Sequence, residues 1–157
     1  MGALLLFSHL DRRNRMIKHK IPNEALVEHL NRALAWELRA MLLYAHFAEY
    51  VSGIQRLHLK TFFEGEATES FDHARTVRAA ISVLGGVAVT ARDETPIEHT
   101  TDYRVMLQES LKTEKRAAEG YAEILKGLDD DSDLYDDMQQ IYFAELRSVT
   151  EMEQLLD

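Results

Sequence analysis

The chain has 157 residues, a net charge of −9, 46% hydrophobic residues and no cysteine. That length suits one domain with a sizeable core, and the lack of cysteine excludes disulfides, thiolate metal sites and cysteine nucleophiles. No apolar run approaches the ~20 residues that span a bilayer, and the acidic body argues against nucleic acid as a partner.

Charge is unevenly spread. Residues 1–20 carry Arg12, Arg13, Arg15, Lys18 and Lys20 against Asp11, a net of +4 that leaves −13 on the remainder. The short apolar run Ala3–Phe7 precedes the basic residues, the wrong order for a secretory signal. Residues 1–20 read as a basic extension outside the main fold, and Met16 as an alternative start of translation.

Pro22, Asn23 and Glu24 open the first long helix, with Asn23 as its expected cap and Glu24 at the positive end of the dipole. Its apolar stripe runs Leu26, Leu30, Ala33, Met41, Tyr44 and Ala48, and it should end near Ser52 and Gly53. A second helix runs from about Gln55 to Leu84 and stops at Gly85 and Gly86, as glycines past a helix end dictate. The short connection makes these two helices antiparallel neighbours.

Residues 85–101, with Pro96, break the helical period and form an extended connection long enough to run the length of a helix pair. A third helix starts near Thr101 and Asp102 and shows Leu107, Leu111, Ala118, Tyr121, Leu125 and Leu128 on one face. The cluster Asp129–Asp133 breaks it and should cap a fourth, whose stripe is Leu134, Met138, Ile141, Ser148, Met152 and Leu155. Two long pairs joined by one long crossover is the ferritin-like form of the antiparallel four-helix bundle, an all-α fold. It occupies residues 21–157.

Every apolar stripe is interrupted near its middle by an acid: Glu37, Glu66, Glu114 and Glu145, one per helix. On the second helix Ser70 and His73 share the stripe with Glu66, and Glu69 lies at its edge. These stripes hold no Lys or Arg as counter-ion. A buried ion costs several kcal/mol, against a total stability of only ~5–15 kcal/mol. Shared protons, water or a cation must neutralise the acids. Carboxylate and imidazole ligands suit iron, manganese or zinc. His29, His46, His58 and His99 form no evident cluster along the chain.

The runs Glu37–His46, Asp72–Ala74, Leu84–Gly86, Leu111–Glu114 with Tyr121, and Ala144–Leu146 resemble bacterioferritins over roughly residues 20–157. That family's di-iron site takes one glutamate from each of two helices and Glu-x-x-His from each of the other two. The resemblance implies that Glu37 and Glu114 hold the single-glutamate positions, His73 the histidine of the first motif and Glu145 the glutamate of the second. Two positions depart from it. Ser70 stands where the first motif has its bridging glutamate, and Ser148 where the second has its histidine. Glu69, four residues before His73, is a candidate replacement ligand. Glu66, about 10 Å from His73 along the axis, is expected to line the approach or support the site.

The resemblance therefore implies an iron-handling or storage protein with a reduced, weakly ferroxidase site at Glu37, Glu69, His73, Glu114 and Glu145. Zinc and manganese are alternative occupants. A non-catalytic scaffold and a small carboxylate-site oxidase or peroxidase are the competing expectations. The family's haem-binding methionine aligns with Phe71, so no haem is expected. A cytoplasmic homodimer or larger homo-oligomer is expected, with Leu43, Phe47, Phe62 and Phe71 on the outer faces of the first two helices. No membrane partner is expected. No segment corresponds to the fifth helix of cage-forming bacterioferritins, which weakens the expectation of a closed shell.

Overall fold

The structure, a computed structural model, describes residues 17–157. The expectations for Met1–Met16, including the apolar run, three of the basic residues and the alternative start, lie outside the described residues. Four long helices follow: α1 (Asn23–Tyr50), α2 (Arg56–Val83), α3 (Tyr103–Lys126) and α4 (Asp133–Leu156). α1 packs along α2 and α3 along α4; α1 also packs on α3, while α2 and α4 make the sparsest of the contacts between neighbouring helices. The four-helix bundle read from the periodicity is the fold. Among the described residues no helix is long and apolar enough to cross a membrane.

Helix ends follow local chemistry, with one difference from expectation. Pro22, not Asn23, precedes α1. The Asn23 amide instead donates to the Leu84 carbonyl at 3.1 Å, satisfying an orphan acceptor at the end of α2. The α4 cap comes from the 129–133 cluster as expected and is Ser132, its hydroxyl accepting from the Tyr135 amide at 3.2 Å. Asp133 and Asp136 occupy the first turn of α4, where the helix dipole favours negative charge. Asp102 caps α3, which starts where expected, accepting from the Arg104 and Val105 amides. Gly85 terminates α2 in the left-handed region at φ +77°. A side chain on Gly86 would collide with Val27, whose Cγ1 lies 2.7 Å from the position a Cβ would take.

The crossover climbs α1 from its first third to its last turn. Asn31 holds Val87 and Val89, the Ala35 carbonyl accepts from the Asp93 amide, and Ser52 donates to the Thr101 carbonyl. Arg39, buried, donates to the carbonyls of Thr95 at 2.9 Å and Pro96 at 2.8 Å. Trp36 lies between the guanidiniums of Arg39 and Arg116, 4.7 and 3.9 Å from the ring centroid, and its indole donates to the Thr113 carbonyl. α1 is thus covered by α2, α3 and the crossover, so its buried face is wider than one stripe. Leu43 and Phe47 are core residues, not the outer-face residues expected. Phe71 is 47% exposed, and Leu155 is exposed rather than part of the core stripe.

Residues 17–21 run beside the α3–α4 turn. The Lys20 amide donates to the Gly127 carbonyl, the Asp129 amide to the Lys18 carbonyl, and Ile17 and Ile21 pack on the core.

The apolar interior is divided in two. One cluster gathers Leu26, Leu30, Leu34, Val77, Ile81, Ile124 and Met138. The other gathers Leu43, Phe47, Phe63, Met106, Leu107 and Met152. Glu37, Glu66, Ser70, Glu114, Glu145 and Ser148, all buried, form a polar waist between them.

Candidate metal centre

Each helix places one acid at the waist because the acid substitutes for an apolar residue in an otherwise regular stripe. Glu37 is 2% exposed and the His73 side chain 12%. Glu37, His73 and Glu145 each bring one ligand atom within 4.8 Å of the others. His73 Nδ1 lies 2.8 Å from Glu145 Oε1 and 3.4 Å from Glu37 Oε1. Despite that proximity, His73 Nδ1 and Glu145 Oε1 are both buried without a hydrogen-bond partner. Metal–ligand bonds of about 2.0–2.2 Å place neighbouring ligands about 3 Å apart. The spacing and the two orphaned atoms fit a divalent cation.

The remaining acids divide by direction. Glu69, half-exposed, faces the opposite ring nitrogen, its Oε1 3.6 Å from His73 Nε2. It therefore lies outside the inner trio. Glu114 accepts a hydrogen bond from the Tyr44 hydroxyl and shares one with Glu145. Glu66 accepts from Ser148 and feels the charges of Glu114 and Glu69. Ser148, at the position of the family's second histidine, instead supports an acid one turn before Ser70. On the far side, Tyr121 donates to Glu37 at 2.6 Å.

Among the described residues no lysine or arginine forms an ion pair with any of these four buried acids. Burial, reinforced by Glu114 and Glu69, pushes the Glu66 carboxyl up to about 8, against the Ser148 hydrogen bond. Burial also holds Glu114 well above the usual carboxylate range, with the hydrogen bond and charge of Glu145 acting the same way and Tyr44 opposing them. Glu145 is raised, chiefly by burial, while its hydrogen bond with Glu114 pulls it down. Burial lowers the His73 imidazole, but the adjacent Glu37 carboxylate, then Glu69 and Glu114, raise it overall. Burial raises both Tyr44 and Tyr121, keeping their hydroxyls protonated as donors.

The weak α2–α4 contact leaves a groove of about 440 Å³ over His73, bordered by Glu69, Asp72, Asp137, Gln140 and Arg147. It gives the imidazole an acidic outlet to the surface.

Three contacts had no signal in the linear pattern: Tyr121 with Glu37, Tyr44 with Glu114, and Ser148 with Glu66. A fourth corrects the reading of the histidines, because His46 Nε2 and His99 Nδ1 meet at 3.0 Å.

Comparison with known proteins adds the lineage. The model of the ferritin-like domain family matches residues 27–157. A ferritin-like diiron-carboxylate protein from Bacillus anthracis str. Ames is 28% identical, with a TM-score of 0.78 over 86% of this chain and 97% of that one. The dodecameric thioferritin of Bacteroides fragilis, a bacterioferritin-related protein, is 25% identical, with a TM-score of 0.81 over 87% of each chain. The Desulfovibrio desulfuricans bacterioferritin, at 22% identity and a TM-score of 0.77 over 92% and 81%, shares the fold. Among curated proteins no match is found. The helix order, the long crossover and the family match over 27–157 together establish that this chain belongs to the ferritin-like domain family.

Proposed function

We propose that the chain binds ferrous iron as substrate or cargo at Glu37, His73 and Glu145, with one well-made position and one poorly made position beside Glu114. The observation that carries this reading is the pair of orphaned buried atoms, His73 Nδ1 and Glu145 Oε1, within a three-ligand cluster. Two carboxylates and one imidazole neutralise a divalent ion and relieve the repulsion between acids that otherwise needs a shared proton. Tyr121 fixes the Glu37 oxygen, and such outer support typically changes metal affinity by about 10- to 100-fold. Glu114, whose carboxyl burial holds above the usual range, must be ionised to act as a ligand. Ser70 and Ser148 offer a second ion neither a bridge nor an imidazole. Oxidation that needs two adjacent ferrous ions is accordingly slow here. The relatives named as diiron-carboxylate and bacterioferritin-related proteins support an iron assignment. Manganese and zinc satisfy the same donors.

Assembly into a homodimer or larger homo-oligomer is part of this reading. Leu42, Tyr50, Leu57 and Phe71 leave exposed apolar area on α1 and α2, and haem at that surface is not expected because α2 has no methionine.

One observation favours a second reading, a bundle that has lost its metal chemistry. Glu66, Glu114 and Glu37 already have hydrogen bonds from Ser148, Tyr44 and Tyr121. Anaerobic Fe(II) titration of chelator-treated protein separates the two. We expect one tight ion per chain and a stabilisation of about 2.7 kcal/mol at a hundredfold excess over Kd, both lost in Glu145→Ala. An unchanged melting temperature with Fe(II), Mn(II) and Zn(II) alike would refute metal binding and leave the scaffold.

A further inference from the structure

Outside the waist, the structure brings together two histidines that lie 53 positions apart, His46 on α1 and His99 on the crossover. Their facing nitrogens are 3.0 Å apart and both side chains reach solvent. The arrangement is built rather than incidental to a loose loop. Arg39 pins Thr95 and Pro96 just before His99, and Ser52 pins Thr101 just after it. Tyr50, one turn after His46, lays its ring 4.5 Å from the His46 ring and 4.8 Å from the His99 ring, centroid to centroid. Both imidazoles are therefore oriented before any ligand arrives.

We propose that His46 and His99 form a bis-imidazole site for a late first-row transition metal, with Cu(II) as the best fit. With metal–nitrogen bonds of about 2.0–2.1 Å, a nitrogen separation of 3.0 Å subtends about 95° at the ion. That is the angle between adjacent ligands in tetragonal coordination, which Cu(II) and Ni(II) favour. Tetrahedral Zn(II) needs about 3.3–3.4 Å between the nitrogens, so the rings must open slightly to take it. To bind the metal, the ring that donates in the His46–His99 contact takes its other tautomer, its proton moving to the outer nitrogen, and solvent fills the remaining positions of the ion. Imidazole-only ligation selects copper over ferrous iron by the usual order of divalent affinities. The waist, with its carboxylates, remains a separate site.

The test is Cu(II) titration of chelator-treated protein, followed by electron paramagnetic resonance. We expect the parent to bind one more Cu(II) per chain than either His46→Gln or His99→Gln, with an axial signal showing coupling to two imidazole nitrogens. Each single substitution should weaken that ion by about 100-fold, because the second ligand acts at high effective concentration. The double variant should be no worse than either single one. Equal uptake by parent and variants, or loss in only one of the two, overturns the proposal. A measurement on the parent alone guards against misfolded variants: substoichiometric Cu(II) should broaden the His46 and His99 imidazole resonances before those of His29 and His58. The reverse order overturns it equally.

Discussion

The pH dependence of stability offers a sharp test of the waist through Glu66→Gln. Glu66 is 9% exposed and its carboxyl is raised from 4.5 to about 8. Between those two values the folded chain keeps a proton that the unfolded chain has lost, so stability falls as pH rises through the window. Below 4.5 both states are protonated and Glu66 contributes nothing. Above 8 the full penalty applies, at most about 5 kcal/mol at 1.36 kcal/mol per pH unit. Contact with water at the edge of the waist reduces this to a few kcal/mol. Glutamine stays neutral and still accepts the Ser148 hydrogen bond. Metal-free parent and variant should therefore be equally stable near pH 4.5–5. By pH 8 the variant should be ahead by a few kcal/mol, a rise of roughly 1–2 M in the urea midpoint at typical slopes. Glu114, Glu145 and His73 titrate in both proteins, so the difference between the two curves reports Glu66 together with its coupling to Glu114. Urea unfolding at pH 5, 6.5 and 8, at one fixed protein concentration, measures it. Parallel stability curves across that range would refute the claim that Glu66 is desolvated.

Two further substitutions probe the ligand set. Tyr121→Phe removes the 2.6 Å hydrogen bond to Glu37 and should weaken the tight Fe(II) ion by about 10- to 100-fold, as read by anaerobic calorimetry; unchanged affinity would show that Tyr121 does not orient Glu37. Ser70→Glu with Ser148→His restores a bridging carboxylate and an imidazole at two buried positions. The double variant should bind two Fe(II) per chain and oxidise them faster than the parent, with each single variant giving less than half the gain. Overpacking costs ~1–3 kcal/mol, so circular dichroism comes first, and a folded double variant with the parent's stoichiometry and rate would count against a degenerate two-ion site.

What the linear pattern revealed and what it concealed divide along a physical line. Glu37, Glu66, Glu114 and Glu145 stood out because a helix repeats its buried face every three or four residues, and an acid in that repeat is conspicuous. His73 was visible for the same reason. The crossover was legible from its lost period and its length. Contacts between helices leave no such trace. Nothing within α3 announces that Tyr121 reaches Glu37, and no local spacing relates His46 to His99. The face of α1 was misjudged at Leu43 and Phe47 because periodicity assumes one covered side, whereas α2, α3 and the crossover enclose that helix on three. Asn23 was misassigned because its amide serves the end of a different helix. Glu69 has the sequence spacing of a chelating partner, but side-chain direction turns it towards the outer nitrogen.

The pairing of residues 18–20 with 127–129 has a kinetic consequence. It joins points more than a hundred residues apart, as does the Lys18–Asp131 ion pair with a separation of 113. Closing a loop of that size costs on the order of 4 kcal/mol in chain entropy, more than two backbone hydrogen bonds return at roughly 1 kcal/mol each, and the exposed ion pair adds little. The clasp therefore forms only after the two helical hairpins have docked and brought its ends together. Its amides become clocks for that event. In pulse-labelled hydrogen exchange during refolding, the Lys20 and Asp129 amides should gain protection after the interiors of α1 and α3. Simultaneous or earlier protection would mean that the chain's start nucleates assembly instead of sealing it.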